Sequence, residues 1–186
     1  MILLVGLGNP TPDSKDNRHN IGFKIIDAIN QKFSLSKQKP KFKGLLTTGN
    51  ILNKKVYAIK PLTFMNNSGI CIRELIEYFK IGVEDIIVFH DDLDVDFGKI
   101  KAKFGGSSAG HNGIASIDKF VGKDYSRVRI GIGKPDSKIS ASDHVLNNFS
   151  EEEKQQLDKI TDNIIGSISI LIDKKLELFS STVNNK

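Results

Sequence analysis

Two kinds of apolar pattern alternate along the chain, and this alternation constrains the fold more than any other feature. Short continuous apolar runs, at residues 1–7 ("MILLVGL") and 85–92 ("DIIVFHDD"), are typical of buried strands. Apolar residues recur at helical spacing over residues 20–33 and 68–80, and a shorter helix is expected over 112–121. Strands that alternate with helices predict an α/β fold.

Three further stretches complete the predicted sheet. Residues 43–61 ("KGLLTTGNILNKKVYAIKP") predict a hairpin with its turn near Asn53-Lys54. Apolar and polar residues alternate over 98–104 ("GKIKAKF") and 126–133 ("SRVRIGIG"), which is typical of strands with one exposed face. Hairpin strands beside helix-connected strands predict a twisted, mixed β-sheet flanked by helices, not a purely parallel sheet.

The helix starts are predicted from capping residues. Asn17 is expected to cap the helix over 20–33, because its side chain could accept hydrogen bonds from the first turn. Ser150 and Glu153 have the spacing of a capping box, and they open one long helical stretch whose apolar stripe reaches Leu171.

Composition indicates a globular protein of the cytoplasm. Its 186 residues suit a single domain, 1–186, in which residues 180–186 are expected to form a frayed tail. Cys71 is the only cysteine, so no internal disulfide is expected, as in a reducing compartment. No apolar run approaches the roughly 20 residues that span a membrane, and no membrane partner is expected.

Charge is distributed in blocks along the chain. Residues 28–73 hold eight lysines and one arginine with no acid, and residues 95–138 hold nine cations against four acids. Between them, residues 74–94 hold seven acids and one lysine. This pattern suits a polyanion held beside a site with carboxylate chemistry, although solvated surface faces would give the same block pattern.

Polar clusters follow the predicted strands, where ligands gather in open α/β sheets. These clusters are "GLGNP" with "RHN", "TFMNNSG", "HDDLD" and "GGSSAGHNG". Thr11 replaces the third glycine of a dinucleotide fingerprint, which argues against that function. His90, Asp91, Asp92 and Asp94 resemble a metal cluster, but alternating strand directions would scatter the four side chains, so no metal is expected.

The clusters together supply a different chemistry. An imidazole can take a proton from water near neutral pH, and an adjacent carboxylate can fix its tautomer. Amides can stabilise an oxyanion without titrating. His19, Asp91 and the side chains of Asn9, Asn66 and Asn112 form such a set, which predicts general-base hydrolysis of an ester beside a polyanion, without metal, cofactor or covalent nucleophile.

Five ordered motifs carry a family resemblance over nearly the whole chain. "GLGNP…NRHNIGF", "KPLTFMNNSG", "HDDLD", "GHNG" and "RVRIGIGKP" resemble the bacterial-type peptidyl-tRNA hydrolases. The resemblance implies a phosphorylase/hydrolase-like fold and hydrolysis of the ester between a peptide and tRNA. A monomer is the default expectation, and no cofactor or obligate protein partner is expected.

The resemblance implies a role for each matched residue. His19 would be the base that activates water, and Asp91 would keep its imidazole in the proton-accepting form. Asn9 would discriminate the peptide from an unblocked aminoacyl group. Asn66 and Asn112 would hold the substrate and the attacking water.

Further matched residues would bind the tRNA or support the centre. Phe64 would line the channel for the 3′ end, and His111 would support the catalytic pair without touching the substrate. Lys103, Arg129 and Lys138 match positions that contact tRNA phosphates in the family.

The chain departs from the family pattern in its first loop. The family usually has glycine, tyrosine and threonine where this chain has Thr11, Ser14 and Asn17. The missing aromatic ring removes one expected stacking contact. Two other hypotheses remain open at this point: a non-catalytic RNA-binding module on the same fold, and a nucleotide or metal enzyme.

Overall fold

The structure, a computed structural model, describes all 186 residues and contains seven strands and seven helices. The strands are β1 (Ile2–Gly6), β2 (Lys39–Lys41), β3 (Gly44–Ile51), β4 (Lys54–Pro61), β5 (Ile86–Asp92), β6 (Ile100–Phe104) and β7 (Ser126–Gly131). The helices are α1 (Ile21–Lys32), α2 (Ser68–Phe79), α3 (Asn112–Val121), α4 (Ala141–Leu146), α5 (Glu151–Gly166), α6 (Ile168–Ile172) and α7 (Leu176–Asn184).

All seven strands form one mixed sheet in the order β2-β3-β4-β1-β5-β7-β6. The central strands β4, β1, β5 and β7 run parallel, whereas β2–β3, β3–β4 and β6–β7 pair antiparallel. The predicted mixed α/β sheet is therefore confirmed, including the hairpin, whose turn lies at Leu52-Asn53. The carboxyl ends of the four parallel strands meet at one edge of the sheet.

Helices cover both faces of the sheet and enclose two apolar cores. Helices α1, α5, α6 and α7 pack on one face, and α2 and α3 pack on the other. Side chains of β1 alternate between the two cores, with Leu4 in the first and Leu3 and Val5 in the second. Burial on both faces explains why β1 and β5 are continuous apolar runs. None of the helices combines the length and apolar character needed to cross a bilayer.

The predicted cap of α1 is wrong. Asn17 makes no side-chain capping bond; it forms an isolated β-bridge with Asn148. The chain then makes a 3-10 turn over Arg18–Asn20 before α1 begins at Ile21. The local sequence had the right residue type for a cap, but a long-range backbone pairing recruits Asn17 instead.

The predicted frayed tail is also wrong as far as Asn184. Helix α7 buries Phe179 and Val183, and its polar side chains bond the free edge of β6. The Asn184 amide donates to Ile100 O and accepts from Ile100 N, as a neighbouring strand would. The long helical stretch is broken at Ser167, while the capping box of Ser150 and Glu153 is present.

Candidate active site

A cavity of about 790 Å³ opens at the carboxyl edge of β1, β4 and β5. Its walls include the seven residues that the sequence predicted for the catalytic centre and its substrate contacts. These are Asn9, His19, Phe64, Asn66, Asp91, His111 and Asn112. They come from four chain segments, so the sheet topology brings them together.

Close packing of α1 against the strand ends brings His19 towards Asp91. Gly22, in the first turn of α1, lies so near Leu7 N and Phe89 O that a Cβ would overlap both atoms. Gly6 at the end of β1 is similarly tight against Gly22. Because neither position has room for a side chain, the turn before α1 is held directly above the end of β5.

His19 and Asp91 form a buried pair. The Nδ1 atom of His19 lies 2.9 Å from both carboxylate oxygens of Asp91. His19 is 8% exposed and Asp91 is 1% exposed. An ionised carboxylate only accepts hydrogen bonds, so Nδ1 carries the proton and Nε2 keeps a free lone pair. This is the tautomer that a general base needs.

His111 is held by hydrogen bonds at both of its ring nitrogens. As the N-cap of α3, its Nδ1 accepts from Gly113 N at 3.1 Å and Ile114 N at 3.3 Å. Its Nε2 lies 2.8 Å from Asp91 Oδ1 and must therefore donate. The cap therefore fixes the orientation of the ring, with Nε2 directed at Asp91.

Asp91 is consequently a carboxylate held by two imidazole N–H groups. Burial acts to raise its pKa, but His111 and then His19 outweigh burial and hold the pKa well below the usual range. Asp91 therefore stays ionised at any pH at which a histidine base would work.

The same three residues have the proximity of a metal site. Ligand atoms of His19, Asp91 and His111 lie within 4.8 Å of one another. However, the Nδ1 lone pair of His111 is used by α3, and its Nε2 carries the proton donated to Asp91. His111 thus has no lone pair to give a cation without breaking the helix cap, and a hydrogen-bond network is the better interpretation.

The amide side chains differ in how they are held. Asn9 Oδ1 accepts from Met65 N at 2.9 Å, which leaves the Asn9 Nδ2 donors free. Asn20 fixes the Asn9 backbone by bonding both its N–H and its C=O at 2.9 Å. Asn66 and Asn112 are exposed within the cavity, and their amides have no hydrogen-bond partner in the protein.

The three predicted phosphate contacts lie beside the cavity but do not line it. Arg129 Nε donates to Asp92 Oδ2 at 2.7 Å, and Asp92 does line the cavity. Lys103 is half-buried; burial first, and then the charge of Arg129, lower its pKa. Lys138 is exposed in the loop before α4.

Sequence reasoning missed part of the cavity wall. Helix α4 contributes Ala141, Ser142, Val145 and Leu146 to this wall. The only sequence signal for this short helix is Ser140, which caps it by accepting a hydrogen bond from Asp143 N. It also missed Asn20, although "NRHN" contains it.

A second missed residue, Arg18, ties the turn that carries His19 to the segment after α4. Its Nη1 donates to the carbonyl oxygens of Asn147 and Asn148, and its Nη2 donates to the carboxylate of Glu153. In the first loop, Thr11 Oγ1 and Ser14 Oγ lie 2.6 Å apart on the cavity wall.

Comparison with known proteins identifies the family. The model of the peptidyl-tRNA hydrolase family matches residues 3–186. The chain belongs to the peptidyl-tRNA hydrolase family. It is 80% identical to the peptidyl-tRNA hydrolase of Pelagibacter ubique over the full length of both chains. The same enzyme of Bartonella henselae is 44% identical over 99% of this chain and 95% of the relative.

A solved relative agrees in fold. The crystal structure of peptidyl-tRNA hydrolase from Acinetobacter baumannii superposes with a TM-score of 0.92 at 34% identity. The match covers 99% of this chain and 94% of that one. The family-level prediction made from the five motifs is confirmed, and the RNA-binding module without activity is not favoured.

Proposed function

We propose that His19 is the general base in the activity of this family, the hydrolysis of peptidyl-tRNA. The observation that carries the proposal is the Nδ1 contact of His19 with both oxygens of Asp91 at 2.9 Å. That contact assigns the proton to Nδ1, so Nε2 can accept a proton from water.

The reaction then needs one proton carrier. Water attacks the ester carbonyl carbon while its proton passes to His19 Nε2, and Asp91 stabilises the imidazolium that forms. The bond between that carbon and the tRNA ribose oxygen breaks, and the imidazolium returns the proton to the leaving oxygen. The products are a peptide with a free carboxyl group, which then releases its proton to solvent, and a tRNA with a free ribose hydroxyl.

The cavity amides suit the remaining tasks. Asn9 presents N–H donors because its oxygen is already used by Met65 N, so it favours a carbonyl over a charged amine. This selects a blocked peptide over an unblocked aminoacyl group. The unpartnered amides of Asn66 and Asn112 are available to hold the substrate and to stabilise the oxyanion.

The tRNA half of the substrate would lie towards β6 and β7. Lys103 and Arg129 on these strands, with Lys138 beyond β7, supply cations on that side of the cavity. Phe64 is 55% exposed at the mouth of the cavity, where a base of the 3′ end could stack on it. No role in tRNA binding is proposed for the basic block at residues 28–73.

The protein would act as a cytoplasmic monomer. One chain supplies every wall of the cavity, so catalysis needs no second copy. Its substrate is a product of translation, and its single cysteine is buried and free, as suits a reducing compartment.

Hydrolysis of N-acetyl-aminoacyl-tRNA and unblocked aminoacyl-tRNA, each measured with and without EDTA, tests this proposal. We expect cleavage of the blocked ester only, at the same rate with EDTA. A rate abolished by EDTA and restored by a divalent metal would replace the general-base mechanism with a metal-assisted one. Equal cleavage of both substrates would contradict the role of Asn9.

A further inference from the structure

His90 is a buried histidine that the mechanism above does not use. It lies on β5 directly before Asp91, is 4% exposed and does not line the cavity. Its Nδ1 is 2.7 Å from the backbone oxygen of Asp91. Because a carbonyl oxygen only accepts, Nδ1 carries the proton and Nε2 has a bare lone pair.

That lone pair has no hydrogen-bond partner in the protein. A buried acceptor without a partner lowers stability, and an apolar side chain of similar shape would avoid this cost. Histidine at position 90 is therefore a poor choice for packing alone, which suggests a use for the Nδ1–H donor.

The ring of His90 also contacts the catalytic centre from behind. Its centroid is 5.0 Å from that of His111, and the two rings stand at 73°. His111 bonds the Asp91 carboxylate, and His90 bonds the Asp91 carbonyl. His111 therefore holds the side chain of Asp91, His90 holds its backbone, and the two histidine rings contact one another.

We propose that His90 is a positioning residue that fixes Asp91 and, through Asp91, the proton-accepting state of His19. The inference rests on the proposed mechanism, since it concerns how the base is oriented. His90 does not line the cavity; it fixes the peptide plane from which the Asp91 side chain reaches both imidazoles.

The charge state of His90 agrees with this role. Burial, and then the neighbouring His111, lower the pKa of His90 to about 3, so the ring is neutral at working pH. The other charged groups facing it are Asp91 and Asp92 on β5, while Arg129 lies opposite on β7. A neutral His90 leaves the Asp91 charge available to His19.

Two substitutions test the Nδ1–H donor and the aromatic ring of His90 separately. His90→Asn keeps an N–H at the place of Nδ1 but removes the ring, whereas His90→Phe keeps a ring and removes the donor. Ile87→Val, a buried change elsewhere on β5, is the control for lost stability alone. The readout is the pH profile of kcat/KM on N-acetyl-aminoacyl-tRNA, with thermal unfolding measured alongside.

We expect His90→Phe to lower kcat/KM about tenfold or more, because a slightly misplaced base is costly. Its acidic limb should move to lower pH by about half a unit, because a loosened Asp91 favours protonated His19 less. His90→Asn and Ile87→Val should keep the limb in place.

A folded His90→Phe with the wild-type limb would overturn the proposal, whether or not its rate fell. An acidic limb that moved as far in His90→Asn as in His90→Phe would overturn the role of the Nδ1–H donor. Should His90→Phe not fold, His90→Leu replaces it with the same two outcomes. An acidic limb missing from the wild type would instead contradict the proposed mechanism.

Discussion

The proposed catalytic centre and the basic side of the cavity are held in opposite ways. In the centre, His19 and Asp91 are buried, the side chain of His111 is 10% exposed, and both histidines contact Asp91 at 2.8–2.9 Å. On the basic side, Lys138 is exposed without a partner and Arg129 is held by one carboxylate, Asp92. Orientation governs the centre, whereas charge alone is enough on the basic side.

This difference separates the two halves of the reaction. Proton transfer requires a fixed tautomer, which the structure obtains by placing Asp91 between the ring nitrogens of His19 and His111. Attraction of a polyanion requires only cations within screening distance, and long side chains provide it without a fixed geometry. Changes in the centre should therefore act on kcat, and changes on the basic side should act on binding.

Asp91→Asn should have the largest effect. His111 can only donate, because α3 occupies its Nδ1, so the new carboxamide oxygen must face His111. Its NH₂ then faces His19 and drives the proton from Nδ1 to Nε2, which abolishes the base. We expect kcat to fall about 10²–10⁴-fold, measured by single turnover.

Asp92→Asn is the matched control for Asp91→Asn. Asp92 pairs with Arg129 instead of a histidine, so its loss should change KM in preference to kcat. An equal loss of kcat in the two variants would contradict the claim that the centre acts on kcat and the basic side acts on binding.

Lys103→Gln and Arg129→Gln should have a moderate effect, confined to binding. Each should weaken tRNA binding and reduce the slope of log K against log salt by about one, because one phosphate contact is lost. Lys39→Gln, on the opposite edge strand β2, is the charge-matched control. A slope unchanged in Arg129→Gln would remove this residue from the RNA face, and a change in Lys39→Gln would extend that face.

Asn184→Ala should leave kcat unchanged but destabilise the edge strand that carries Lys103. It removes two hydrogen bonds to the backbone of Ile100, which is itself buried. We expect a loss of about 1–3 kcal/mol in the free energy of unfolding, measured by denaturant titration. Wild-type stability in this variant would mean that α7 is held to β6 by its apolar side chains alone.

The pH dependence of stability should show the smallest change. Because the pKa of folded His90 is about 3, the unfolded chain takes up this proton first as pH falls below about 6.5. The contribution of neutral His90 is therefore complete above that pH and declines between about 6.5 and 3. His90→Asn should lose less stability than wild type between pH 7 and 5, measured by urea unfolding; an identical decline would assign the loss to other groups.

Much of this molecule could be predicted from its sequence. Apolar periodicity located the strands and helices, since burial on one or two faces is recorded directly in residue order. Side chains at the ends of parallel strands converge by topology, which is why His19, Asp91 and the three asparagines were identified together.

The misses share a physical cause, because each depends on a contact between residues far apart in sequence. Asn17 looks like a helix cap, but it pairs with Asn148. The tail looks polar, but Asn184 completes the hydrogen bonds of β6. The fixed tautomer of His111 follows from its place before α3 and next to Asp91, which residue order alone does not give.

The most direct test of the central claim is single-turnover hydrolysis of N-acetyl-aminoacyl-tRNA by His19→Ala, with tRNA affinity measured on the same sample. If His19 is the base, the rate should fall about 10²–10⁴-fold while the affinity stays at the wild-type value. A folded His19→Ala that binds tRNA and still turns over near the wild-type rate would contradict the account.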